Sequence, residues 1–246
     1  MGRHQLFGMM VSPWTHRALW ALDFCGIPYR FKNYVPGLGE LMLRLRTRNF
    51  FAAVEVPVLL ADGRVISGSG AIARYAAEVA GDERLGDFAV TADWERRSDA
   101  AASEGRDGAL RRVLASRDAQ IEAGEGVVPA LLRPHMTWLA RRVFRSLTRK
   151  YAALGPPGAM RELLTHARAQ LRGGSYLLER FSYADIVVAS SLEMVEPLVP
   201  RGPASYQAYR WPELADEFAD LIGWRRALIA QHWPAFTAHA PGALDA

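Results

Sequence analysis

The chain has 246 residues, 50% of them apolar and 23% charged, with a formal net charge of +4. Length and composition fit a globular protein with a sizeable core. Every long apolar run is broken by Arg, Asp or Glu, which excludes a span of the roughly 20 apolar residues a membrane helix needs.

A single cysteine, Cys25, excludes an internal disulfide framework. Residues Met1–Phe7 lack the apolar stretch and small-residue cleavage site of a signal peptide, so the expected location is cytoplasmic. The basic residues are almost all Arg, with only Lys32 and Lys150 as lysines, and they are spread along the chain. No zinc-ligand set, heptad-plus-basic array or RNA-binding aromatic motif accompanies them, so neither nucleic acid nor membrane is expected as a partner. None of the six His has metal-ligand spacing with Cys25 or another His, and no metal is expected.

In chain order, His4–Met10 reads as a strand. Ser12-Pro13 opens a helix, with Ser at the cap and Pro at the first helical position. Trp14, Ala18, Ala21, Leu22 and Cys25 share its apolar face, and Gly26 stops it. Ile27–Val35 is a second strand, parallel to the first because a helix separates them. Leu38–Arg48 has the pattern of a short amphipathic helix. Val56–Leu60 and Arg64–Ile66 flank Asp62-Gly63, a strong hairpin signal. Ser69–Ala80 is a further helix with Ile72, Tyr75, Ala76 and Val79 on one face.

Residues 1–80 are thus β-α-β-α-β-β-α, 81–90 are a linker, and 91–246 read as helical. Long helices are expected at Thr91–Ser116, Val128–Leu154, Ala159–Arg172, Tyr183–Val199 and Pro212–Gln231, with breaks at Gly124-Glu125-Gly126 and Gly155-Pro156-Pro157-Gly158. Ser182-Tyr183-Ala184-Asp185 is a capping box, with Phe181 and Ile186 as its hydrophobic staple. The run Ile186-Val187-Val188-Ala189 is apolar on every side, which marks a buried helix.

Three segments, in this order, resemble the cytosolic glutathione transferase superfamily: Ser12-Pro13-Trp14-Thr15-His16-Arg17 followed by Gly26-Ile27-Pro28-Tyr29; Val56-Pro57-Val58-Leu59 followed by Asp62-Gly63 and Ser69–Tyr75; and Tyr176-Leu177 through Phe181–Ile186. Together they span most of the chain. The fold the resemblance implies is α/β plus all-α, a thioredoxin-like glutathione-binding domain at 1–80 followed by a helical bundle domain at 91–246.

The resemblance also implies a cis Val56–Pro57 bond that presents the Val56 backbone to a bound peptide, as a strand edge would. Ser12 then faces the sulfur of glutathione, donating a hydrogen bond that stabilises the thiolate at the positive end of a helix dipole. A Ser there cannot form a mixed disulfide, which favours transfer or isomerisation over thiol reduction. A second role for Ser12, as a plain helix cap, stands beside this one. Thr15 is an alternative hydroxyl. Ser69, with Gly68 before it, is placed for the γ-glutamyl carboxylate, and Trp14 for the glutathione site as a whole.

Two positions depart from the family's pattern: Gly68 stands where an acidic residue usually holds the glutathione amine, and Glu55 where Lys or Gln usually precedes Val-Pro. The glycine carboxylate would need Arg44, Arg46 or Arg48, which read equally as a solvated helix face. Arg106, His135 and Trp138, with Trp14, are candidates for the second-substrate pocket, expected between the domains. Arg141, Arg142, Arg145 and Arg149 are either a draw for an acidic substrate or a charged outer face. Cys25 reads as core. The expected activity is attack of the activated glutathione thiol on a small electrophile, or its isomerisation, by a homodimer. The alternative is a non-catalytic binding or regulatory protein that keeps the fold.

Overall fold

The computed structural model describes residues 4–36, 38–47, 55–81, 83–125, 128–151, 155–198 and 202–239. The chain opens with β1 (His4–Gly8), α1 (Pro13–Phe24), β2 (Tyr29–Asn33), α2 (Leu38–Thr47), β3 (Val58–Ala61), β4 (Arg64–Ser67) and α3 (Ser69–Ala80). The strands form one sheet in the order β2-β1-β3-β4. The first two run parallel, His4 opposite Tyr29 through Gly8 opposite Asn33, as the intervening helix requires. Strand β3 is antiparallel to both β1 and β4. The β3–β4 hairpin turns on Asp62 and Gly63, both with positive φ (49° and 75°), the conformation that Asp-Gly pairs adopt most readily.

Alternation along the strands sorts side chains to two faces. Leu6 and the opposing Leu59 join α1 and α3 in the main core, whereas Phe7 and the opposing Val58 pack with Tyr34 and Leu43 of α2. The result is a sheet with helices on both sides, as the resemblance implied.

The helical part comprises α4 (Phe88–Ala115), α5 (Arg117–Ala123), α6 (Thr137–Tyr151), α7 (Ala159–Leu171), α8 (Tyr183–Ser191), α9 (Pro203–Tyr209), α10 (Pro212–Glu217), α11 (Ala219–His232) and the short α12 (Phe236–His239). Every residue of α8 is buried, matching its all-round apolar pattern. Its capping box is present: Asp185 accepts from the Ser182 N–H at 2.8 Å and from the Leu177 N–H at 2.8 Å. Helix α4 and the 3-10 turn Leu192–Met194 that follows α8 come close. A Cβ on Gly105 would lie 2.4 Å from Met194 Cβ, so only glycine fits there.

Several helices differ from expectation. Helix α4 starts three residues before Thr91, inside the expected linker, because Asp87 caps it by accepting from the Ala89 N–H at 2.7 Å. The expected helix from Val128 is broken: Ala130–His135 is a 3-10 turn containing Pro134, and α6 begins only after it. Helix α8 stops at Ser191 and tightens into a 3-10 turn, Leu192–Met194, ahead of Pro197. The helix from Pro212 is divided at the buried Phe218. Helices α5 and α9 were not anticipated. Of the expected boundaries, Arg48, Gly126, Leu154 and Val199 lie outside the described residues.

One apolar core runs from Leu6 through α8 to Phe236, without a break between the two parts of the chain. The C-terminal segment reinforces the junction. Trp233 stacks on Trp20 of α1 with ring centroids 5.0 Å apart, and Asp23 accepts hydrogen bonds from Tyr29 (2.8 Å) and from the Trp233 indole (2.6 Å). Among the described residues no helix is long and apolar enough to cross a membrane.

Candidate active site

The site begins where β1 hands over to α1. Ser12 has extended backbone angles, its N–H donates to Met9 O at 2.9 Å, and its carbonyl accepts the first helical bond from His16 at 3.1 Å. Its hydroxyl makes no capping hydrogen bond. Pro13, at the first helical position, lacks an N–H that would have had no intrahelical partner. Ser12 lines a cavity of about 610 Å³ between the first domain and α4, α5 and α6. Thr15 has the structural role: it is fully buried, and its Oγ1 accepts from the Met9 N–H at 3.0 Å.

Trp14 also lines the cavity, held by its indole N–H to Asp99 Oδ1 at 2.9 Å. The same oxygen accepts from Arg17, whose fully buried guanidinium continues to Ser191 Oγ at 3.3 Å. Val56 also lines the cavity, and the Val56–Pro57 bond is cis. Among the described residues the Val56 N–H and C=O have no backbone partner. Pro57 is buried and does not line the cavity; its carbonyl accepts from the Gly68 N–H at 3.0 Å.

Gly68 (φ 90°) and Ser69 also lie outside the cavity lining. Ser69 is 4% exposed, buried at the start of α3 rather than facing an open site. Of the arginines considered for the glycine carboxylate, Arg44 pairs with Glu40 at 2.7 Å and Arg46 donates to Gln5 at 2.6 Å. Arg48 lies outside the described residues.

Arg106, from the middle of α4, reaches the cavity and sits over two rings, 3.8 Å from the centroid of Tyr151 and 4.8 Å from that of Trp14. Burial lowers its pKa, opposed by Tyr151 and then by the carboxylates of Glu55, Asp107 and Asp99. Tyr34 lines the wall on the Val56 side, its phenol pushed up to about 12 by burial and then by Glu40.

His135 and Trp138 do not join the site. His135 is exposed at the end of the 3-10 turn, and Trp138 is 61% exposed. Helix α6 turns Leu139, Ala140, Val143 and Leu147 to the cavity, and Met136 just before it lines the cavity too. Trp138 stands about 180° around the helix from Leu147, on the outer side with Arg145 and Arg149, whereas Arg141 donates to Gln120 Oε1 of α5 at 2.9 Å.

Tyr34, Tyr151 and Glu193 are wall residues that were not anticipated. Tyr34 and Tyr151 carry no local motif, since Tyr34 follows β2 and Tyr151 ends a helix whose start was misplaced. Glu193 had a signal: it is the first carboxylate after the apolar run of α8. It is 1% exposed, with Arg225 Nη1 and His16 Nδ1 each 3.9 Å from its Oε2. Among the described residues no group of three His, Cys, Asp or Glu is placed to hold a metal ion. The arrangement offers a hydroxyl with no capping bond at a helix N-terminus, a strand-entrance backbone with no backbone partner among the described residues, and a partly desolvated cation, all on one cavity with apolar walls.

Residues 11–79 match the family model of the glutathione S-transferase N-terminal domain. No curated protein sequence matches the chain significantly. Among solved structures, a glutathione S-transferase from Methylobacterium radiotolerans, in complex with glutathione sulfonate, is similar over 98% of this chain and 95% of its own, at 18% identity and a TM-score of 0.59. A glutathione transferase from Phanerochaete chrysosporium is similar over 96% of this chain and 98% of its own, at 15% identity and a TM-score of 0.58. A theta class glutathione S-transferase from Xanthomonas axonopodis pv. citri, with glutathione bound, covers 99% of this chain and 100% of its own, at 21% identity and a TM-score of 0.54. The chain therefore has the glutathione transferase fold along its length and carries, over residues 11–79, a match to that family's N-terminal domain.

Proposed function

We propose that the protein is a glutathione-dependent transferase or isomerase acting on a small electrophile. The observation that carries this is the position of Ser12: its hydroxyl makes no capping bond and opens at the N-terminus of α1 onto the same cavity as Val56 and Trp14. There it donates a hydrogen bond to the glutathione sulfur. The thiolate form is stabilised by that bond and by the helix dipole, so the thiol pKa falls and more nucleophile exists at neutral pH. Val56 pairs its free N–H and C=O with the tripeptide backbone.

Residues 1–80 form the thiol-binding part, 81–90 the connection, and 91–246 the part that selects the second substrate. Gly68 and Ser69 lie beside Pro57 and flank the γ-glutamyl end, with the Ser69 backbone N–H rather than its hydroxyl available to the carboxylate. The proposal extends to a cytoplasmic homodimer, the first domain of one subunit against the helical domain of the other.

In transfer to an aryl chloride, the sulfur–carbon bond forms, the carbon–chlorine bond breaks, and chloride leaves with the thiol proton passing to water. The test is retention on immobilised glutathione together with turnover of a chlorinated aromatic acceptor, for the native protein and for Ser12→Ala. Retention, turnover, and a Ser12→Ala rate reduced about 10²-fold or more are expected, the scale seen when one transition-state hydrogen-bond donor is removed. An unchanged Ser12→Ala rate rejects the role of the hydroxyl. Absence of both retention and turnover rejects the enzyme in favour of a binding or regulatory protein.

A further inference from the structure

The charges around the cavity do not balance. Among the described lining residues Arg106, Arg133, Arg142 and Lys150 are cationic, and Glu40 and Glu193 are anionic. Each carboxylate already has a cation beside it that is not in the lining: Arg44 at 2.7 Å from Glu40, and Arg225 at 3.9 Å from Glu193. Among the described residues Arg106 therefore faces the cavity without a lining carboxylate to answer it. Most of the remaining wall is apolar, including Leu110, Val113, Val128, Leu139, Val143 and Leu147.

Arg106 is the cation set deepest in this wall. Its Nε is buried with no hydrogen-bond partner, and its Nη2 reaches only Ser103 Oγ, at 3.5 Å. Among the described residues no carboxylate lies within ion-pair distance of it. Asp99 is taken by Arg17 and Asp107 by Arg111, and Glu55 acts on it only at longer range. A partly desolvated guanidinium without a counter-ion is a standing site for an anion, and its planar fork fits a carboxylate.

We infer that the second ligand of this cavity is an amphipathic monoanion, its carboxylate held by Arg106 between Tyr151 and Trp14 and its apolar body lying in the chamber under α6. A cavity of about 610 Å³ is within the range of roughly 300–1,000 Å³ that takes such a molecule. Trp14 is two residues from Ser12, so the head is held close to the thiol site. As a substrate, the molecule carries its electrophilic carbon within a few bonds of the carboxylate. Only the word substrate rests on the proposed thiol chemistry; the anion site stands on the cavity itself.

The test is titration of the full chain, without glutathione, with decanoate, decanol and decyltrimethylammonium, read by quenching of tryptophan fluorescence. Decanoate is expected to saturate at a concentration at least about tenfold below decanol, with the cation weaker than both. Arg106→Gln should erase the preference for decanoate, and Arg106→Lys should keep part of it. Equal binding of decanoate and decanol, no binding of either, or a preference that survives in Arg106→Gln overturns the inference. Should Arg106→Gln fail to fold, the native comparison and Arg106→Lys decide. A protein that prefers decanoate but is not retained on glutathione keeps the anion site and loses the thiol chemistry; the reverse result separates them the other way.

Discussion

Trp14 and Asp99 join the two parts of the chain at the site itself: the indole Nε1–H of the first helix donates to the carboxylate of α4 at 2.9 Å. Because the same oxygen also receives the buried Arg17, one side chain both orients a cavity wall and neutralises an interior cation.

Asp99→Ala is therefore expected to lower stability by about 2 kcal/mol, the scale of a lost hydrogen bond to a charged group. Asp99 is itself half exposed, which keeps the effect below that of a fully buried pair. Urea unfolding should show a lower midpoint with an unchanged slope. A midpoint equal to the native one would mean that Arg17 is satisfied through Ser191 alone.

Asp185 holds the start of α8 by accepting from the N–H groups of Leu177 and Ser182 and from the Ser182 hydroxyl, at 2.8, 2.8 and 3.1 Å. All nine residues of that helix are buried, so fraying there exposes core. Asp185→Ala should cost about 2–3 kcal/mol, a cap plus charge-assisted bonds in a buried setting. Thermal unfolding checks this. A loss below about 0.5 kcal/mol would place the helix start under the control of packing alone.

His16 gives a pH dependence. It is 2% exposed, its Nε2–H faces Met10 O at 2.6 Å, and its pKa is lowered to about 4. Burial is the main cause, and Arg225 and His239 add to it. The unfolded chain takes a proton on this residue below about 6.5 and the folded chain does not until about 4, so stability is lost as pH falls through that window. The loss from this group is about 3 kcal/mol. Asp185 opposes it, because burial lifts its carboxyl to about 6 and the folded chain takes that proton first. The measurement is accordingly a difference: between pH 7 and pH 4 the unfolding free energy of the native chain should fall more than that of His16→Gln. Parallel pH profiles would show that His16 is protonated in the fold.

The parts of the chain that were legible carry local signals. The Asp62-Gly63 turn, the Ser12-Pro13 helix start and the Ser182–Asp185 capping box depend on residues within a few positions of one another, and each appears as read. Helix α3 was bounded correctly at both ends, with Gly81 in the left-handed conformation closing it. Between residues 117 and 239 the reading was poorer. Pro134 and Phe218 divided stretches whose apolar periodicity continued across them, and the short α5 and α9 carry too few turns to show a period.

By itself the sequence determined which faces are apolar, where the helices with local cap signals begin, and that a strand-entrance proline follows a βαβ unit. Those depend on steric and hydrogen-bonding preferences that act over a few residues. Only the tertiary structure decided which side chains share the cavity. It brought Arg106 over Trp14 and Tyr151, buried Ser69, and left His135 and Trp138 outside. A residue's place on its own helix is a local property. Which helix face meets the cavity depends on how α4 and α6 pack against the first domain, and that is set by contacts between residues tens of positions apart.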